Sequence, residues 1–284
     1  MTVVGIEPRT DCCLLARSEY SEHGRRITDL AKIARQHVQR HPLLQTAELV
    51  IAVPDDKVMV KSLRVGKAEA EDIICFELAH TILDSEQNYL WDAIRCGMES
   101  NRYLGLLARR EEIQKVTQTM VSGLADIARQ ARHSEQVRYE VRAVALAKGF
   151  VEFCEQTEAE LYCLVDASSD MASLAFVQNR SILDLACIST ERLRSNTTLG
   201  VQYFAAELKT VIDFRLRSLR EHLESSHPPT VVLSGNTELL DILGSRLQAP
   251  VVHPLFNPDL IADSAKPFGA VIDDFLIALG LTVK

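Results

Sequence analysis

The chain has 284 residues and a formal net charge of −8, from 31 Lys and Arg against 39 Asp and Glu. A chain of this length can bury a large core, and its 47% hydrophobic and 25% charged residues are typical of a globular protein. The acidic balance argues against a nucleic-acid or anionic-lipid binder, because such proteins need a basic surface field.

Membrane insertion and metal binding are not expected either. No apolar run reaches the roughly 18–20 residues of a membrane-spanning helix. The seven cysteines form no CxxC pair and no cluster with histidine, which predicts reduced thiols rather than disulfides or a zinc site. Since the N-terminus shows no signal-peptide pattern, the expected location is the reducing cytosol. No residue is predicted to be catalytic or to bind a metal.

The predicted elements begin with a hairpin. Val3–Ile6 and Asp11–Ala16 are apolar runs on either side of a polar turn. Ile27–Val38 follows with apolar residues at helical spacing, which predicts a helix. Its basic residues predict a solvated helix face, with a docking surface as the alternative: Arg25, Arg26, Lys32, Arg35 and Arg40.

The rest of the first half continues to mix strands with helices. Leu49–Val53 and Lys57–Val65 predict strands separated by the turn residues Pro54–Asp55–Asp56. The acidic start of Glu69–Leu83 is typical of a helix N-terminus. The remaining predicted elements of this half are strands Tyr89–Cys96 and Tyr103–Ala108, a helix from about Glu111 to Leu124, and a helix at Val137–Glu155.

The second half repeats this organisation. Its predicted elements are strands Glu160–Val165, Ser173–Val177 and Ile182–Ile188, a helix from Val201 to about Leu223, strand Thr230–Leu233, helix Thr237–Leu247, strand Val251–Val252 and helix Phe268–Leu279. Because strands followed by a helix occur twice, the pattern predicts two related α/β lobes. The first lobe is expected at residues 1–158, with an inserted small subdomain at about 57–124, and a truncated second lobe at residues 159–284.

Several short segments, taken in chain order, carry a resemblance to a known family. They are Val4–Gly5–Ile6–Glu7, Ile51–Ala52–Val53–Pro54, Val58–Met59–Val60–Lys61, Glu69–Glu77, Ala143–Ala147, Leu164–Val165–Asp166 with Ser173–Leu174, Val231–Gly235 with Leu239–Leu240, and Phe268–Val271 with Ala278–Leu279. They resemble the PilM-type proteins of type IV pilus assembly, members of the actin, heat-shock chaperone and FtsA-like ATPase fold. The resemblance covers nearly the whole chain and implies an α/β, actin-like (ribonuclease H-like) fold of two lobes, with mixed sheets flanked by helices.

In that fold, three turns hold a nucleotide and carboxylates near them hold Mg²⁺, usually through water. The resemblance assigns these degenerate turns to three groups of residues. They are Gly5, Glu7 and Thr10 in the first turn, Asp166, Ser168 and Ser169 in the second, and Ser234 and Gly235 in the third.

Two of the turns depart from the family pattern at a glycine. Arg9 and Ser168 stand where the family has glycine, and a side chain there obstructs the approach of backbone N–H groups to phosphate. The small subdomain that the family places before the long second-lobe helix is missing between Thr190 and Gly200. These departures predict a degenerate ATPase without a cofactor, with ATP and Mg²⁺ as the alternative. Arg9 is predicted to be a surface or salt-bridged residue, with a phosphate contact as its alternative.

The resemblance implies a non-catalytic scaffold. PilM-type proteins sit at the cytoplasmic face of the inner membrane, where they hold the N-terminal tail of a membrane-anchored PilN-like partner in a groove of the first lobe. That groove is expected at about Lys57–Asn101 and Tyr103–Leu124. Self-association is a second partner hypothesis. The alternatives are a nucleotide-binding actin-like ATPase and the cytoplasmic domain of a type II secretion platform protein.

Overall fold

The computed structural model describes residues 2–22, 24–44, 48–66, 70–82, 84–97, 101–121, 137–156, 161–195, 198–219, 229–235, 239–247, 249–265 and 272–283. The strands are β1 (Thr2–Pro8), β2 (Cys12–Ser21), β3 (Gly24–Ala34), β4 (Glu48–Val53), β5 (Val58–Arg64), β6 (Tyr89–Arg95), β7 (Arg102–Arg109), β8 (Val137–Val141), β9 (Leu161–Asp166), β10 (Met171–Gln178), β11 (Ser181–Ser189), β12 (Thr230–Ser234) and β13 (Val251–Val252). The helices are α1 (Ala70–Ala79), α2 (Arg110–Val121), α3 (Arg142–Phe153), α4 (Thr198–Leu219), α5 (Leu240–Leu247) and α6 (Leu276–Gly280).

Two five-stranded sheets have equivalent topologies. The first has the order β3-β2-β1-β4-β8 and the second has the order β11-β10-β9-β12-β13. In each sheet the opening strand pairs antiparallel with the next strand and parallel with a later one. The central strands are buried along most of their length, as expected for strands covered on both faces. The predicted boundary near residue 158 lies outside the described residues and stays a prediction.

A smaller sheet, with the order β5-β7-β6, is inserted between β4 and β8. Helix α1 packs on one of its faces through a buried cluster that includes Leu63, Ile74 and Leu78. Helix α2 follows β7 directly, and its Ile113 packs with Val53 and Ala108. The inserted unit therefore packs against the end of β4 through Val53.

Helices α3 and α6 join the two large sheets. One hydrophobic cluster contains residues of α3, α6 and strands of both sheets. The two helices approach so closely that a Cβ on Gly280 would overlap the carbonyl oxygen of Ala145, and a Cβ on Gly149 would overlap that of Leu276. Glycine is required at these two positions because only a bare backbone fits there.

The helix predicted at Ile27–Val38 is wrong, because residues up to Ala34 form strand β3. Thr28 is an extra residue in the pairing with β2, since Arg17 pairs with Asp29 and Ser18 pairs with Ile27. Such a bulge shifts the alternation of faces by one residue. Ile27 and Leu30 therefore point into the same core cluster although they are three residues apart, a spacing that imitates a helix.

Strand β3 is an outer strand, and its basic residues belong to a sheet edge rather than a helix face. Arg25, Arg26 and Lys32 lie on this strand. Charged side chains on an outer strand discourage pairing with another chain. The backbone of Ile27 is covered by residues near Ile261, and its carbonyl oxygen accepts a hydrogen bond from Ala262 N at 2.8 Å.

The helix predicted at Val137–Glu155 is correct only from Arg142 onward, because Val137–Val141 pairs with β4 as strand β8. The other predicted strands are confirmed. Apart from the helix predicted at Ile27–Val38, the remaining predicted helices are confirmed to within a few residues wherever they lie in described ranges. Phe268–Val271 of the last predicted helix lies outside those ranges. No described helix combines the length and the apolar character needed to cross a bilayer.

The contact between α3 and α6 predicts opposite effects for two glycine substitutions. We expect Gly280→Ala to lower the free energy of unfolding by roughly 1–3 kcal/mol or more, because the helices must separate to admit a methyl group. Gly244→Ala in α5 is the matched control, since a Cβ there would meet no atom within 4 Å beyond its chain neighbours and its own helix backbone. Gly244→Ala should raise the free energy of unfolding by up to about 1 kcal/mol, because alanine favours a helix more than glycine does. Urea unfolding checks both, and equal effects would contradict the prediction.

Candidate functional site

The three turns predicted from the resemblance meet at one end of the two large sheets. They follow β1, β9 and β12. Thr10 Oγ1 of the first turn donates to Asp170 Oδ1 of the second at 3.3 Å. The Cβ of Ser168 lies 2.8 Å from the position that a Cβ on Gly235 would take, so the second and third turns are in direct contact. We call the space between these turns the cleft.

The predicted site residues differ in what holds them there. Ser168 donates its backbone N–H to Asp166 Oδ1 at 3.1 Å, and its hydroxyl contacts the same oxygen. Ser169 Oγ donates to Met171 O within its own turn at 2.7 Å. Ser234 Oγ donates to Asp273 O at 2.5 Å.

Gly5 lies apart from the cleft, inside β1. A Cβ at this position would overlap the carbonyl oxygen of Ala278 in α6. Packing between β1 and α6 therefore requires a glycine here whether or not a ligand binds, and the assignment of Gly5 to a phosphate turn stays a prediction.

A buried arginine lies between the carboxylates of the cleft. Arg142 Nη2 is 3.0 Å from Glu7 Oε1 of β1 and 3.2 Å from Asp166 Oδ1 of β9. The three side chains are between 0 and 3% exposed. Charges this deep are stable only when they are paired, because burial removes their hydration. Arg142 therefore joins the first lobe to the second through charge.

Arg9 turns toward the same group of side chains. Its Nε lies 3.0 Å from Glu7 Oε1, and its Nη2 donates to the carbonyl oxygen of Asp274 at 2.6 Å. The side chain is 11% exposed. The salt-bridged arginine predicted from the sequence is confirmed, and both ends of its guanidinium already have protein partners.

Asp55 makes a second connection between the lobes. Its Oδ1 accepts the backbone N–H of Ala143 at 2.9 Å, and its Oδ2 accepts the hydroxyl of Ser173 at 2.5 Å. Ala143 lies at the start of α3 and Ser173 lies on β10. The turn after β4 is therefore fixed to the helix between the sheets and to the second sheet.

Burial dominates the electrostatics of these carboxylates. Burial raises the pKa of Glu7 above its ordinary 4.5, and the attraction of Arg9 and Arg142 offsets part of this rise. Burial also raises the pKa of Asp55 above 3.8, against hydrogen bonds from Ser173 and Ala143 that lower it. Glu7 Oε2 and Asp166 Oδ2 are buried without a hydrogen-bond partner. The described residues contain no group of three or more His, Cys, Asp or Glu arranged to hold a metal.

Sequence reasoning missed Arg142 and the role of Asp55. Arg142 lies in the otherwise apolar run Val141–Leu146, and a single charge in such a run is a signal of a buried, paired residue. The sequence indicates only that Asp55 belongs to a turn. Nothing local in the sequence indicates that it contacts Ser173, which lies 118 positions away.

A second feature, which we call the groove, is a mostly apolar cavity of about 340 Å³ in the first lobe. One wall is Leu90, Trp91 and Asp92 of β6, the other is Arg138–Val141 of β8, and the floor includes Val53, Val58, Leu106, Ala108 and Ile113. Part of its lining lies in the predicted region at 57–124, but the wall from β8 was not predicted.

Both walls of the groove are outer strands. β6 ends the three-stranded sheet and β8 ends the first large sheet. Among the described residues, no strand pairs with the outer edge of either. The backbone N–H of Ala93 in β6 donates to Oδ1 of its neighbour Asp92 at 2.7 Å. The groove therefore combines two outer strands, as far as the described residues show, with a mostly apolar lining.

Comparison with known proteins gives a structural match without a sequence match. No protein-family model and no curated protein matches the chain significantly. The PilM–PilN type IV pilus biogenesis complex superimposes with a TM-score of 0.70, covering 99% of this chain and 97% of that chain at 16% identity. The cytoplasmic domain of EpsL, an inner-membrane component of the type II secretion system of Vibrio cholerae, superimposes with a TM-score of 0.52. The match covers 100% of this chain and 96% of that chain at 8% identity.

These likenesses show the fold. The chain has the PilM-like, actin-type two-lobed fold that the resemblance implied, with mixed sheets flanked by helices. At such low identities a shared fold does not carry over an activity or a partner.

The raised pKa of Glu7 predicts how Glu7→Gln changes the pH dependence of stability. Below the ordinary pKa of 4.5, Glu7 is protonated in both the folded and the unfolded chain. As pH rises above 4.5, the unfolded chain releases this proton first, so the wild type should lose stability relative to Glu7→Gln. Urea unfolding of both proteins between pH 4.5 and 8 measures the difference. A wild type that gains stability relative to the variant would mean that the two arginines outweigh burial.

Proposed function

We propose that this chain is a non-catalytic scaffold of a type IV pilus or secretion-type inner-membrane assembly. It acts at the cytoplasmic face of the membrane, and it is held there by the N-terminal tail of a membrane-anchored, PilN-like partner. The observation that carries the proposal is the groove, where two strands that are outermost in their sheets among the described residues border one mostly apolar cavity.

The groove has the features that an extended peptide needs. A peptide that lies along a strand edge gains affinity from main-chain hydrogen bonds, while pockets for alternate side chains give specificity. On the other side of β6, against α1, lies a further cavity of about 360 Å³. Successive side chains of a strand point to opposite faces. A peptide that pairs with β6 would therefore place its own side chains alternately in the groove and in this second cavity.

The similarity to the PilM–PilN complex supports this class of partner. The lower TM-score with the EpsL cytoplasmic domain makes a type II secretion platform domain the second candidate. Both readings place a scaffold beside an inner membrane. Self-association stays a separate proposal, and sedimentation of the purified chain measures it.

The cleft supports a scaffold over an ATPase. A bound triphosphate needs bare backbone N–H groups and a metal held near carboxylates. Here Arg142 lies between Glu7 and Asp166, the guanidinium of Arg9 is bonded to protein atoms, and the side chain of Ser168 lies against Gly235. The residues present do not fit ATP with Mg²⁺, and we propose that the chain neither binds nor hydrolyses it.

Truncation of an aromatic wall residue tests the groove. We expect Trp91→Ala and Tyr139→Ala each to weaken binding of a tail peptide by about tenfold or more, because buried aromatic anchors dominate such interfaces. The probe is a synthetic peptide with the sequence of the cytoplasmic N-terminal tail of the proposed PilN-like partner. Fluorescence anisotropy measures the dissociation constant.

Phe214→Ala is the matched control for the groove variants. Phe214 is an exposed aromatic residue like Trp91, with 66% and 43% of the side chain accessible, but it lies on α4 of the second lobe. This control should leave the dissociation constant unchanged. Failure of the wild type to bind the peptide, or equal losses in all three variants, would contradict the proposal.

A thermal-shift titration tests the cleft. A ligand that binds only the folded protein raises its midpoint of unfolding by mass action. We expect the midpoint of unfolding to stay unchanged with millimolar ATP and Mg²⁺. We also expect no release of phosphate from ATP. A concentration-dependent rise would favour the nucleotide-binding ATPase over the scaffold.

A further inference from the structure

Arg142 occupies a position from which one side chain contacts both lobes. It is the first residue of α3 and is 3% exposed. Besides Glu7 and Asp166, its guanidinium reaches Ser173 Oγ of β10 at 3.4 Å and the carbonyl oxygen of Pro8 at 3.5 Å. Its partners therefore come from the ends of β1 and β9 and from β10, which are the elements that border the cleft.

The guanidinium of Arg142 does here what a bound cation would do, because it lies between two carboxylates. Glu7 and Asp166 lie on different sheets, and a positive charge between them removes their mutual repulsion and attracts both. A single nitrogen, Nη2, contacts both carboxylates, while Nε and Nη1 reach Ser173 and Pro8. Only a planar guanidinium has the several donors that make these four contacts at once. Because this cation is part of the chain, closure of the cleft needs no added ligand.

The segments that carry these contacts also form the groove. Glu140 and Val141 line the groove and directly precede Arg142. Val53 and Val58 line it as well, and Asp55 lies between them. Asp55 in turn accepts the N–H of Ala143, the residue after Arg142. The segments Val53–Val58 and Glu140–Ala143 thus each have one part that lines the groove and another that reaches the contacts of Arg142 at the cleft.

From this placement we propose that Arg142 is a built-in latch, which closes the cleft without a nucleotide and so holds the groove in the form that binds the tail. The groove half of this inference rests on the proposed function. Binding at the groove is then coupled to the latch and independent of ATP.

The test compares Arg142→Met with Arg142→Lys and with a destabilised control. Arg142→Met keeps an unbranched side chain but removes the charge. Leu243→Ala is the control, because Leu243 is fully buried in the second lobe, belongs to α5 and contributes no charge. Hydrogen exchange is followed in β8, in the start of α3 and in the turn between β9 and β10. The dissociation constant of the tail peptide is measured for each variant.

We expect faster exchange in those three segments for Arg142→Met than for Leu243→Ala, and peptide binding weakened by about tenfold, the usual size of coupling between two sites. Arg142→Lys should recover part of the affinity.

Equal exchange in Arg142→Met and Leu243→Ala would overturn the latch. If the wild type binds the peptide and Arg142→Met binds it equally well, the coupling is wrong while the scaffold stands. A wild type that does not bind the peptide overturns the proposed function, and with it the groove half of the inference.

Discussion

The close backbone contact between α3 and α6 is the constraint on which the rest of the molecule depends. Gly149 and Gly280 let the two helices touch, and both large sheets pack against this pair. The separation of the sheets is therefore set by backbone atoms, which cannot adjust as long side chains do. At that separation the turns after β1 and β9 come within reach of a single guanidinium, and Arg142 connects them.

Two chain segments, around Asp55 and around Arg142, connect the groove with the cleft, and the two sites differ in how they satisfy polar groups. In the cleft, buried charges are matched by other side chains of the protein. In the groove, two outer strands lie beside mostly apolar walls, and we propose that a partner tail supplies the hydrogen bonds there. Buried ion pairs add little net stability compared with well-packed apolar groups, but removing one member of a pair is strongly destabilising. Such a network specifies one arrangement of the lobes more than it strengthens the fold.

Much of the fold could be predicted, because most strands and helices have local signatures. The hairpin β1–β2 and the meander β9–β11 follow from apolar runs around polar turns. The error at β3 came from a bulge at Thr28, which gives a strand the apolar spacing of a helix. Of the site, Glu7 and Asp166 could be named from the resemblance. The guanidinium between them could not, since contacts across 135 or 24 residues of chain depend on how the lobes pack.

The outer strand β3 has a consequence for crowded conditions. Sheets can grow when an edge of one molecule meets an edge of another, and this is a common start of aggregation. On β3, arginine and lysine side chains repel a second copy of the same strand, and residues near Ile261 already cover its middle. The opposite end of that sheet, β8, carries charges of both signs, Arg138 and Glu140, and no other described strand pairs with its outer edge. Like charges on β3 therefore disfavour its pairing with a second copy, whereas the mixed charges of β8 do not. If the chain acts as the scaffold proposed above, β8 is the end of the sheet at which strand pairing with the partner tail is expected.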